Sequence, residues 1–151
     1  MLLSPLLLDH ILAMPRGAAV IYPRDSAQIL VEADIFPGAK VVEAGVGSGG
    51  LSSYLLRAIG PTGSLTSFER RADFADTAKK NVAAFMGYLP DNCAVQVGDL
   101  QERVPVAVQL HGNIDRVILD MLAPWECVEV AYTLLKPGGV LCIYEIGRAH
   151  V

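Results

Sequence analysis

At 151 residues, the chain has the length of one domain or part of one. Hydrophobic residues make up 52%, mean hydropathy is +0.40 and net charge is −4, which supplies a core and argues against a strongly basic nucleic-acid surface. Cys93, Cys127 and Cys142 stand at no metal-ligand spacing and are odd in number, so they read as reduced core thiols of a cytoplasmic protein with no metal site.

Residues 1–13 are leucine-rich. They lack a basic leader region, contain Pro5 and Asp9, and are too short to span a bilayer. Residues 5–13 are expected to form a packed amphipathic helix, with no membrane partner. A loop follows over 14–24, punctuated by Pro15, Gly17 and Pro23. Asp25 or Ser26 is the expected cap of a helix reaching about residue 34. Pro37-Gly38 turns the chain into a first strand, 40–44, and a helix is expected over 49–59. Pro61-Thr62-Gly63 leads to a second strand, 64–68. Helical spacing of Phe74, Ala78, Val82 and Phe85 predicts a helix over 73–85. Strands are expected at 94–97, 114–119 and 140–144, with a loop over 101–113. A helix over 124–135 is opened by Pro124 and stopped by Lys136-Pro137-Gly138-Gly139.

Alternating strands and helices make this an α/β chain with a parallel sheet. Ligands in such sheets bind beyond the carboxyl ends of the strands. Four acids stand there: Glu43, Glu69, Asp99 and Asp120. The run Gly45-Val46-Gly47-Ser48-Gly49-Gly50 joins the first strand to its helix, the layout of a nucleotide-cofactor site. Gly45, Gly47 and Gly50 fit G-x-G-x-x-G, and Glu69 lies 19 residues beyond Gly50, where an acid would hold ribose hydroxyls. That pattern alone suits NAD and S-adenosyl-L-methionine equally. Glu43 favours the second, because a carboxylate there could orient a cationic aminoacyl sulfonium and has no task beside a pyrophosphate. Asp99 is placed to reach an adenine amino group.

Leu134-Leu135-Lys136-Pro137-Gly138-Gly139-Val140-Leu141 resembles the matching segment of class I methyltransferases, as does the order of elements. Two further segments narrow the resemblance: Met14-Pro15-Arg16-Gly17-Ala18-Ala19-Val20-Ile21-Tyr22-Pro23-Arg24-Asp25 and Leu119-Asp120-Met121-Leu122-Ala123-Pro124-Trp125-Glu126. With the glycine run, they closely resemble the tRNA (adenine-N1)-methyltransferase family acting at position 58, actinobacterial members most of all. The resemblance implies a Rossmann-like class I methyltransferase fold, S-adenosyl-L-methionine as cofactor, tRNA as substrate, and a homotetramer. It implies that Asp120 is the catalytic acid and also touches the donor, and that Tyr22 holds the target adenine or the donor. Glu43, Gly45 and Gly47 would serve the donor, Ser48, Gly49, Gly50 and Leu51 its aminoacyl part, Glu69 its ribose and Asp99 its adenine; Phe74 is a candidate for the adenine pocket but fits the apolar stripe and reads first as core. Arg16 and Arg24 are the candidate phosphate contacts, Arg24 standing where the family more often has Lys. Trp125 reads as packing behind Asp120, and Arg70-Arg71 and Lys79-Lys80 as solvated helix charges. His10 and His111 have no partner that suggests chemistry.

On this reading, residues 1–35 are a helical lead-in with a substrate loop, and 36–144 form the donor-binding domain. Residues 145–151 depart from the family and resemble the translation of a sequencing adapter, a scar left out of the fold. A complete class I sheet has seven strands. This chain supplies five and its start looks internal, so the resemblance implies an incomplete sheet, an open apolar edge at 140–144, marginal stability and low activity for these residues alone. Other readings are a class I methyltransferase with a small-molecule or protein substrate, an NAD-dependent oxidoreductase, or a non-catalytic tRNA-binding subunit.

Overall fold

The computed structural model describes residues 3–102 and 112–145. Five parallel strands form one sheet: β1 (Lys40–Ala44), β2 (Ser64–Glu69), β3 (Cys93–Val97), β4 (Ile114–Asp120) and β5 (Leu135–Tyr144). Their order is β3-β2-β1-β4-β5. The helices are α1 (Leu7–Ala13), α2 (Pro23–Glu32), α3 (Gly50–Ile59), α4 (Ala72–Met86) and α5 (Val128–Leu134). This is the expected Rossmann-like α/β architecture.

Both faces of the sheet are buried, so the central strands are apolar nearly throughout. Val41 and Ile118 turn to one face and pack with Leu51, Leu55, Ile59 and Val82 of α3 and α4. Their neighbours Val42, Val117 and Leu119 turn to the other and pack with Cys127, Ala131 and Leu134. From β1 the chain steps outward to β2 and β3, then returns to the far side of β1 for β4 and β5. The order therefore reverses between β1 and β4, where a crevice opens at the carboxyl ends of the strands.

Several boundaries differ from expectation for local reasons. Helix α2 starts at Pro23 with Tyr22 as its cap residue, because proline is pre-set for the first helical position. Ser26, an expected cap, is instead buried inside the helix. Pro124 opens a 3-10 turn, Pro124–Cys127, ahead of α5. Strand β5 begins at Leu135, opposite Ile114, and Lys136-Pro137-Gly138-Gly139 is a bulge before Val140 pairs with Arg116. Lys136 bridges to the buried Asp115, whose other oxygen takes the Lys40 amide at 2.8 Å. The bulge thus closes the base of the sheet. Of the expected loop over 101–113, residues 103–111 lie outside the described residues, as do 146–151 of the tail. No helix among the described residues is long and apolar enough to cross a membrane.

Gly45 follows β1 with φ +91°, and a Cβ there would stand 1.7 Å from the Asp120 carbonyl oxygen. Gly87 also has positive φ, at +83°, but nothing within 4 Å of its Cβ position. Gly45→Ala should therefore cost about 2–5 kcal/mol, combining backbone strain and overlap. Gly87→Ala should cost only about 1–2 kcal/mol from the backbone. Urea unfolding of both variants checks the difference.

Candidate functional site

A cavity of about 720 Å³ lies over the crevice. Six of the sequence-predicted site residues line it: Gly45, Gly47, Glu69, Phe74, Asp99 and Asp120. Glu69 ends β2, and its carboxylate is fixed by two backbone amides, Gly47 N–H to Oε2 and Arg71 N–H to Oε1, each at 3.0 Å. That clamp ties the glycine turn to the start of α4. Asp99, just beyond β3, is 7% exposed and accepts Arg70 Nε at 2.6 Å, with a second Arg70 nitrogen on the same oxygen. Asp120 closes β4. Burial, and secondarily the charge of Glu69, push its carboxyl up to about 6.

Glu43 does not line the cavity. It lies under the glycine turn, fully buried, with Oε2 accepting the Ser52 and Ser67 hydroxyls at 2.7 and 2.8 Å. Burial pushes it up to about 7, against the lowering effect of those hydrogen bonds. It serves as an internal brace between β1, β2 and α3 rather than as a surface offered to a ligand.

Ser48, Gly49, Gly50 and Leu51 are likewise buried and turned toward protein. The Ser48 hydroxyl accepts the amides of Gly17 and Ala18 at 3.2 and 3.3 Å and so holds down the 14–24 loop. Gly49 abuts the Ala78 backbone of α4, where a Cβ would come within 3.1 Å. Gly50 leaves room for Val20 and Met14. The first two glycines of the run face the cavity, and the last two let helix and loop approach. Tyr22, Arg16 and Arg24 are exposed and lie outside the cavity lining.

Two side chains read as bystanders in the sequence line the site, and a third packs against its wall. Arg70 lines the cavity and pairs with Asp99. Arg71 lies 3.8 Å over the Phe74 ring. Trp125 is 65% exposed at the cavity rim rather than packed behind Asp120. Two further residues went unnoticed. Asn81, on α4, is buried and donates to the Pro15 and Ser48 carbonyls at 2.8 and 2.9 Å, pinning loop and glycine turn together. Its backbone carbonyl bonds the His10 ring at 3.0 Å. The available signal was an amide inside the apolar stripe of α4. Tyr144 lines the cavity and donates its hydroxyl to Asp25 at 3.0 Å, a contact across 119 residues that no local pattern announces.

The family described as "tRNA methyltransferase complex GCD14 subunit" matches residues 4–146. The chain is similar to the tRNA (adenine(58)-N(1))-methyltransferase TrmI of Thermus thermophilus, 37% identical over 140 residues, covering 93% of this chain and 52% of that protein. The chain thus spans about half the length of this curated relative. Among solved structures it superposes on the tRNA (m1A58) methyltransferase TrmI of Aquifex aeolicus with a TM-score of 0.81 and 27% identity, over 92% of this chain and 53% of that one. A SAM-dependent O-methyltransferase from Thermotoga maritima matches with a TM-score of 0.80 and 31% identity, over 92% and 49% of the two chains.

The buried Glu43 makes stability depend on pH. Its folded pKa of about 7 exceeds the ordinary 4.5, so the folded state holds its proton more tightly than the unfolded one. The associated stability is present below about pH 4.5 and is lost as pH rises through 7. The loss amounts to as much as about 3 kcal/mol. Asp120 acts in the same direction. Urea midpoints should fall between pH 5 and 8, and Glu43→Gln, which keeps an acceptor for both serines, should flatten that slope.

Proposed function

Because the chain belongs to the family described as tRNA methyltransferase complex GCD14 subunit, we propose that it carries the donor and base site of an enzyme that methylates N1 of adenine 58 in the T-loop of tRNA. The observation that carries this reading is Asp120. It is an acid at the strand-order reversal, in a cavity that also holds Glu69 at the end of β2 and Asp99 just beyond β3. S-adenosyl-L-methionine supplies the electrophilic methyl group when bound. The residues present fit such a donor. Gly45 and Gly47 offer bare backbone, Glu69 is a pre-fixed acceptor suited to ribose hydroxyls, and Asp99 and Phe74, lining the same cavity, would take the adenine. The cavity volume is that of a small-molecule site.

Adenine N1 bears its own lone pair, so the protein need not create a nucleophile. It must take the base from its stack, hold N1 in line and offset the positive charge that grows on the ring. The Asp120 carboxylate accepts a hydrogen bond from the exocyclic amine and supplies that countercharge. Tyr22, Arg16 and Arg24, on and beside the exposed loop, meet the RNA around the displaced nucleotide. On this reading, residues 1–35 are the substrate lead-in and 36–144 the donor-binding domain. The enzyme acts in the cytoplasm as a homotetramer, as the resemblance implies.

Calorimetry should show binding of S-adenosylhomocysteine and none of NADH. Incubation with donor and unmodified tRNA should leave a reverse-transcription stop at position 58. Bound S-adenosylhomocysteine with a stop elsewhere overturns the substrate while keeping the methyltransferase. The methylation rate should rise with pH through about 6 as Asp120 ionises. Asp120→Asn should lower it by about 10²–10³-fold and erase that inflection.

A further inference from the structure

Trp125 is the chain's single tryptophan. It sits in the 3-10 turn shortly after Asp120, lines the cavity and is 65% exposed. Leu122, on the same rim, is 91% exposed. Single exposed apolar side chains are ordinary, but an apolar rim on a concave site marks a landing place for an apolar surface.

The other aromatic rings of the lining are already engaged. Phe68 is buried in the core. Phe74 carries the Arg71 guanidinium on its face and abuts Gly17. Tyr144 is tied to Asp25 through its hydroxyl. Among the described residues, no ring or cation contact covers the Trp125 indole.

The walls around it select the ligand class. Glu69, Asp99, Asp120 and Glu126 offer acceptors only, and the one cation of the described lining, Arg70, is taken up by Asp99, so the walls favour a planar ring that donates from its edge, as an exocyclic amine does, and disfavour an anionic one. We propose that Trp125 is a stacking wall for an adenine ring bound in this cavity, the indole lying face to face with the base. Such stacking tolerates any purine face and leaves selection to the acids at the ring's edge. The inference rests on the methyltransferase reading, in which two adenines take part, one on the donor and one in the tRNA. Both present the same face and the same amine.

A lone tryptophan makes the test direct. Its fluorescence is followed while the chain is titrated with S-adenosylhomocysteine, then with a T-loop RNA hairpin at saturating S-adenosylhomocysteine, with calorimetry in parallel. Quenching by the first ligand identifies the donor's adenine as the stacked ring. Quenching only on adding RNA identifies the acceptor's. For the ligand that quenches, Trp125→Phe should keep the dissociation constant within about threefold, because an aromatic face remains. Trp125→Leu should weaken it on the order of tenfold. Calorimetric binding with unchanged fluorescence, or native affinity in Trp125→Leu, overturns the role of Trp125 and leaves the methyltransferase reading intact. No calorimetric binding of either ligand overturns both.

Discussion

The backbones of β1 and β4 meet where the strand order reverses, and the rest of the site depends on that approach. Gly45 and the Asp120 carbonyl are so close that no side chain fits at position 45. The close approach fixes where Asp120 begins relative to the glycine turn. It also sets the Asp120 carboxylate near that of Glu69, close enough for the Glu69 charge to help raise the Asp120 carboxyl. Neither acid reaches this position through its own side-chain reach. Strand register carries both there, with Ala44 paired to Phe68 on one side and Leu119 on the other.

Around this junction the protein uses several of its polar groups on itself. Ser48 and Asn81 bind the 14–24 loop to the glycine turn, and Glu43 braces Ser52 and Ser67 beneath it. Buried polar groups are costly unless paired, so once formed these contacts hold a single arrangement. The exposed loop that carries Ala18 and Ala19 into the cavity wall is therefore pinned from beneath to the glycine turn and α4. Gly49 and Gly50 belong to the same device, since bare backbone there lets α4 and the loop close in.

The electrostatics of the cavity are one-sided. Five acids line it, Glu69, Asp99, Asp120, Glu126 and Glu145, and among its described lining residues Arg70 is the only one with a fixed positive charge. Such a site suits a ligand that brings positive charge and hydrogen-bond donors. A methyl donor bearing a sulfonium and a ring that becomes cationic on methylation both answer that description. The chain's net charge of −4 is no obstacle to this chemistry, because the charge that matters is the local one.

What the sequence determined by itself was the alternation of elements, the parallel sheet, the glycine turn and the acids at strand ends. Those features follow from residue-to-residue periodicity and turn chemistry, which act over a few positions. It also located Asp120, Glu69 and Asp99, because the end of an apolar run marks the carboxyl end of a strand. The tertiary structure alone decided which polar groups point outward. Glu43 carries the same sequence signature as Glu69, yet Glu43 is enclosed beneath the glycine turn while Glu69 lines the cavity, and Trp125 has the signature of a core residue but is left on the rim. Tyr144 meets Asp25, Asn81 meets Pro15, and Arg70 meets Asp99 only because helices and strands distant in sequence are stacked side by side. A local pattern records which face of its own element a residue occupies. What lies against that face is set by the other elements, and only the assembled sheet and its helices supply them.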